Sequence, residues 1–127
     1  MTENEIAKAI VDAAYKVHNG LGPGLLESVY ETAMEWELKN AGLSVTRQHP
    51  ISITYSGLHI RTAFIADLIV ENQVIIELKS VEAIAPVHKR QLLTYLKLSN
   101  KRLGLLINFN VVLVKDGITR VANGMPT

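Results

Sequence analysis

The chain has 127 residues, of which 48% are hydrophobic and 20% charged; that is the balance of one compact folded domain spanning residues 1–127, and it excludes a disordered segment or a pair of ordinary domains. Its 13 Lys and Arg against 12 Asp and Glu give a formal charge of +1, too even for a nucleic-acid coat protein but compatible with an enzyme that touches a polymer locally. The absence of cysteine excludes disulfides and thiolate metal sites. No apolar run approaches the roughly 20 residues that a bilayer requires, and no basic block precedes an apolar one at the N-terminus, so the expected setting is cytoplasmic and away from membranes.

Residues 4 to 18 read as an amphipathic helix: Ile6, Ile10, Ala13 and Val17 form a stripe, with Lys8, Asp12 and Lys16 opposite. GLGPG (20–24) then breaks the chain. A second helix is expected from Leu25 to Asn40, with Leu26, Val29, Tyr30, Ala33 and Trp36 in its apolar arc and Gly42 as its stop. The two helices should form a hairpin against one face of a sheet. From Leu43 the period falls to two. LSVTR, ISITYS and HIRTAFIADLIV read as strands, with a tight turn at Ser56-Gly57, and Glu71-Asn72-Gln73 turns the chain into VIIELKS.

Pro86 opens a helix that runs to about Ser99. LGLLINF (103–109) is the continuous apolar run of a strand covered on both faces, and VVLVKDGITRV reads as a closing strand or hairpin with its turn at Asp116-Gly117. The order is αα–ββββ–α–ββ, an α/β or α+β domain with its sheet covered by helices.

The segment from Ala66 to Ser80 carries the chemistry. Alternation in VIIELKS puts Ile75, Glu77 and Lys79 on one face, so a carboxylate and an ammonium share a face inside an otherwise apolar strand. Asp67 interrupts the apolar run FIADLIV, and counting outward from the turn at 71–73 sets it opposite Glu77. Two converging carboxylates repel one another and lose hydration, and a divalent cation offsets both costs. Mg²⁺ commonly takes one or two carboxylates, with water and phosphate oxygens completing its shell. A neighbouring lysine can hold the attacking water or meet charge growing on phosphate oxygens. Asp67, Glu77 and Lys79 together therefore suit phosphodiester hydrolysis with Mg²⁺ or Mn²⁺.

Other residues read less sharply. Gln91 and Tyr95 are four apart on one helix face, at the border of a leucine arc; alone, this spacing favours packing by Tyr95 and backbone capping by Gln91. Glu27, in the first turn of the second helix, complements the helix dipole. Glu37 falls within the apolar arc and is expected to pair with an Arg or Lys. His18, His49 and His59 form no zinc-ligand pattern.

Taken together, these segments resemble the GxxExxY protein family, a branch of the PD-(D/E)xK nuclease-like superfamily, over about Ile6 to Val121. Gly24, Glu27 and Tyr30 carry the naming motif; ADLIVENQVIIELKSVEAI is similar to the family's metal-binding hairpin, HKRQLLTYLK to its following helix and LGLLINF to its next strand. The resemblance implies a restriction-endonuclease-like mixed sheet flanked by helices. It also implies Asp67, Glu77 and the backbone carbonyl of Leu78 as metal ligands, Lys79 as the catalytic lysine, and Glu27 as the acid supplied from a helix ahead of the sheet. Gln91 and Tyr95 look like the Q-x-x-x-Y motif of the RecB-like exonuclease branch, and with Tyr30 they are the candidates for positioning substrate. Ile65 stands where the family often carries an arginine or similar polar residue, which implies a weaker grip on phosphate. The implied partner is nucleic acid, DNA ahead of RNA, with a homodimer as a way to hold a duplex. The competing expectation is a catalytically inactive module that keeps the fold to bind nucleic acid or a protein.

Overall fold

The computed structural model describes residues 1–125. The first helix, α1 (Glu3–Leu21), starts at a capping box: Thr2 accepts a hydrogen bond from the Glu5 N–H (3.2 Å), and Glu5 accepts one from the Thr2 N–H (2.9 Å). Its predicted stripe of Ile6, Ile10, Ala13 and Val17 is buried. The helix continues to Leu21 and stops at Gly22, whose φ of +72° suits glycine and whose N–H donates to the His18 carbonyl.

The second helix, α2 (Glu27–Asn40), differs from expectation in its rotation. Its buried side is Tyr30, Glu31, Met34 and Leu38, while Trp36 is 65% exposed and Leu26 and Val29 face outward. Tyr30, Met34 and Leu38 form an i, i+4, i+8 stripe of their own. Two polar ties fix which stripe goes inward: the Tyr30 hydroxyl is held by the preceding loop, and Glu31 by the first strand.

Five strands make one mixed sheet in the order β1-β2-β3-β4-β5: β1 (Val45–Tyr55), β2 (Leu58–Val70), β3 (Val74–Lys79), β4 (Leu103–Asn108) and β5 (Ile118–Ala122). The third helix, α3 (Pro86–Ser99), makes the crossover that lets β3 and β4 run parallel; the other neighbours are antiparallel. On one face α1 and α2 share a core with Leu68, Val70, Ile76, Leu78, Leu105 and Ile107. On the other, Leu92 and Leu96 of α3 pack on Ala66, Ile69, Ile75 and Leu106. The six residues of β4 are all buried, as its unbroken apolar run predicts. Among the described residues no helix is long and apolar enough to cross a membrane.

The fold class and the succession of helices and sheet segments are those expected, with two refinements. LSVTR and ISITYS are continuous as β1, because Pro50 sits in an edge strand, where its missing N–H costs no ladder bond, and pairs with Ile65. Residues 111–113 form a loop, not a strand, followed by a 3₁₀ turn at Val114–Gly117 and then β5. The turn at Asp116-Gly117 is where it was expected. A Cβ on Gly117 would overlap the Asn108 carbonyl oxygen, so glycine is required for this close return.

β1 and β2 have 11 and 13 residues, β3 only six. The β1–β2 hairpin therefore continues as a two-stranded arm beyond the end of β3, and Asp67 lies where the arm leaves the sheet.

Candidate functional site

The β2–β3 ladder pairs Val70 with Val74, Ile69 with Ile75 and Leu68 with Ile76, so the next position sets Asp67 against Glu77. Strand alternation breaks there. Leu68 and Val70 enter the α1/α2 core, whereas Phe64 and Ala66 enter the α3 core, although all four positions are even-numbered. The strand turns over at Asp67. This frees the carboxylate from the ladder, and its Oδ2 accepts the Leu78 N–H at 2.8 Å.

Gln48 occupies the matching position on β1, between the Arg47–Leu68 and His49–Ala66 pairs, and its φ is +50°. A non-glycine residue held at positive φ inside a strand stores about 1–3 kcal/mol of strain. The distortion aims its side chain: Gln48 Nε2 donates to Glu31 Oε1 at 2.6 Å and to Asp67 Oδ1 at 3.3 Å. Arg47 Nε holds the other oxygen of Glu31 at 3.0 Å and Nη1 reaches Glu35 at 3.7 Å. Glu27, Ser28, Glu31, Gln48, Asp67 and Leu78 thus surround a cavity of about 190 Å³ between α2 and the sheet.

Glu77 is only 8% exposed, and its Oε1 is the one buried side-chain polar atom without a hydrogen-bond partner among the described residues. Burial, then the nearby Asp67 charge, pushes its carboxyl up to about 9; Lys79 pulls weakly the other way. Lys79 is half-buried two residues on, and its carbonyl accepts the Phe109 N–H at 3.0 Å. From the α3 side Tyr95 lies flat on Phe64, with ring centroids 3.9 Å apart. Its hydroxyl is held above the usual phenol range by burial and then by the charges of Glu77 and Asp67, with a hydrogen bond from Gln91 opposing.

The structure therefore brings Asp67, Glu77, Lys79, Gln91 and Tyr95 to one end of the sheet, and Glu27, exposed in the first turn of α2, to the cavity rim. Tyr30 stands apart. It is fully buried against Phe109, and its hydroxyl donates to the Gly22 carbonyl at 2.6 Å and accepts the Leu25 N–H at 3.1 Å. Both hydrogen bonds hold the GLGPG loop, which the Ser80 hydroxyl clamps from the sheet side through the Leu25 carbonyl at 2.9 Å. Tyr30 thus reaches the cavity only through the placement of Glu27.

Glu31, Arg47 and Gln48 were not singled out from the sequence. One signal was present: Glu27 and Glu31 are four apart and share a helix face. Glu37, the acid expected to find a cation, forms no ion pair among the described residues; Glu31 and Glu35 take the arginine instead. Among the described residues no three His, Cys, Asp or Glu side chains lie close enough together to hold a metal ion by themselves.

The model of the PD-(D/E)XK nuclease superfamily matches residues 4–121. The chain belongs to this superfamily. The match spans both core layers and every residue at the sheet end just described, and membership points to nuclease-type chemistry. Among solved structures, the chain is similar to the protein whose crystal structure is called SSO0001, with a TM-score of 0.50 and 23% identity over 79% of this chain; that likeness concerns the fold. The chain spans about half (52%) of that protein's length. No curated protein matches the sequence.

Proposed function

We propose that the chain is a Mg²⁺- or Mn²⁺-dependent nuclease that hydrolyses phosphodiester bonds, in DNA ahead of RNA, as a member of the GxxExxY branch. One observation carries this reading. Glu77 Oε1 is buried without a partner beside a second carboxylate, an arrangement that costs stability in the protein alone and is relieved by a hard cation. The donor set fits such an ion: Asp67 and Glu77 would hold it, with the Leu78 carbonyl as a third oxygen and water filling the rest. A cation bound there neutralises the paired carboxylates and polarises a phosphate oxygen.

The remaining roles belong to the chain's own groups. Lys79, on the same strand face as Glu77, meets negative charge on the phosphate or orients the attacking water. Glu27, at the rim and open to solvent, accepts a hydrogen bond from that water. Gln91 and Tyr95 line the opposite side and position the sugar–phosphate backbone, and Tyr30 keeps the loop ahead of Glu27 in place. Gln48 and Glu31 fix the orientation of Asp67.

Purified wild type and Lys79→Ala, incubated with plasmid, linear duplex and single-stranded substrates in Mn²⁺, test the proposal. The wild type should cleave, and the variant should lose at least 100-fold of the rate, about 2.7 kcal/mol of transition-state stabilisation. Equal cleavage by both would assign the activity to a contaminant. An inactive wild type whose melting temperature rises in Mn²⁺ only while Asp67 and Glu77 are intact would leave a cation-binding module in place of an enzyme.

A further inference from the structure

From Lys39 to Ala66 the chain contains no Asp or Glu; all 12 acidic residues lie outside that stretch. This acid-free stretch includes the β1–β2 arm that projects past β3, and from Gln48 to Ala63 not one residue is buried. The two faces of the arm differ. Ile51, Ile53 and Tyr55 pair with Phe64, Ile60 and Leu58, an apolar face that leans on the α3 core through Ile51 and Phe64. The opposite face runs outward from Gln48 and Asp67 through the Pro50–Ile65 pair to the Thr54–His59 pair. Between these pairs the register shifts: Ile51 meets Phe64 but Ile53 meets Ile60, so Ser52 faces the bulge Arg61–Ala63. A bulge of this kind re-aims the side chains it carries. The open face thus presents Ser52, Thr54 and His59, with Arg61 at the edge of the bulge, all exposed.

We infer that this open face is the track on which duplex nucleic acid lies as it enters the site, an inference that rests on the nuclease reading above. Hydroxyls, imidazole and guanidinium are the groups that position a phosphate backbone, and a missing acid removes the repulsion that would oppose it. A two-stranded ribbon also fits the width of a duplex major groove. The track begins at Gln48 and Asp67, so whatever follows it arrives at the Asp67 carboxylate and the cavity beside α2. Thr54 lies six positions beyond Gln48, roughly 20 Å at about 3.3 Å each, which spans about six base pairs of duplex. The arm has the length to hold substrate more than half a helical turn from the bond that breaks.

The test compares Arg61→Glu/His59→Glu with its parent, both in a Lys79→Ala background that prevents cleavage, by fluorescence anisotropy in Mn²⁺. The probes are a duplex of about 20 base pairs, a single strand of the same length, and a dinucleotide, which at roughly 7 Å is too short to reach Arg61 from the site. Expected is at least a tenfold loss of affinity for the duplex, a salt slope reduced by about one to two, and no change for the dinucleotide. With Lys79 restored, the loss should fall on KM and leave kcat in place. Unchanged affinity of the double variant, while the wild type still cuts, overturns the arm and leaves the nuclease. Failure of the wild type to bind or cut any nucleic acid overturns both. A loss seen with single strands alone overturns the duplex assignment. Should the double variant melt early, Thr54→Glu on the same exposed face makes the same comparison with a single change.

Discussion

Replacing Glu77 with Gln should stabilise the metal-free protein. Its carboxyl ordinarily titrates at 4.5 but is raised to about 9 in the fold, chiefly by burial and then by Asp67. At pH 7 the folded chain therefore keeps a proton that the unfolded chain has released, at a cost of about 3 kcal/mol, which shrinks to under about 1 kcal/mol at pH 5. The sign follows from the raised value: stability from this group is complete below 4.5 and falls as pH climbs toward 9. Gln carries no proton to lose, keeps the volume, and escapes this fall. Some of the gain is lost because its amide brings N–H groups that need acceptors. A net rise of about 5–10 °C in melting temperature at pH 8 remains, against a few degrees at pH 5. Melts of wild type and variant in EDTA at both pH values measure it. The same pair in Mn²⁺ should invert, since only the wild type can gain from the ion. A variant that melts lower than wild type in EDTA at pH 8, or a gap independent of pH, would refute the account of a carboxyl confined without a partner.

Three further outcomes are expected. At position 48, Gly should be more stable than Ala by about 1 kcal/mol in urea unfolding, because only glycine accepts positive φ without strain, while both variants lower kcat by freeing Asp67. Tyr30→Phe should cost about 1–2 kcal/mol, as the Gly22 carbonyl and the Leu25 N–H lose their partner, and proteolysis within residues 20–25 should accelerate. Trp36→Ser should change stability by less than about 0.5 kcal/mol, since the side chain lies outside the core; a loss of several kcal/mol would restore the helix face first expected from the sequence.

The elements were legible because each obeys one period. Ile6, Ile10, Ala13 and Val17 repeat as a helix stripe, and the short unbroken run LGLLINF suits a covered strand. The proximity of Asp67 to Glu77 followed from a turn of known length. What the sequence hid were the choices that long-range contacts make. α2 has two usable apolar stripes, and a hydrogen bond from Tyr30 to the Gly22 carbonyl, with others from Arg47 and Gln48 to Glu31, all reaching outside the helix, selects the one with Tyr30, Met34 and Leu38. The strand reversal at Asp67 leaves no trace in FIADLIV, because apolar residues fill both faces. Gln48 was invisible for a related reason: positive φ is a cue when the residue is glycine or asparagine, and a strained glutamine has no compositional signature.

Pro50 and the left-handed backbone of Gln48 have a consequence outside chemistry. β1 is a border of the sheet, and a long border strand offers its unused amide and carbonyl groups to any other extended chain. A proline supplies no donor, and a residue at φ +50° turns its peptide out of line, so the row is interrupted twice within three residues. The distortion that directs a side chain at Asp67 also spoils the template for fibrillar growth. Protection from aggregation and the orientation of a carboxylate thus draw on the same few bonds of one ribbon.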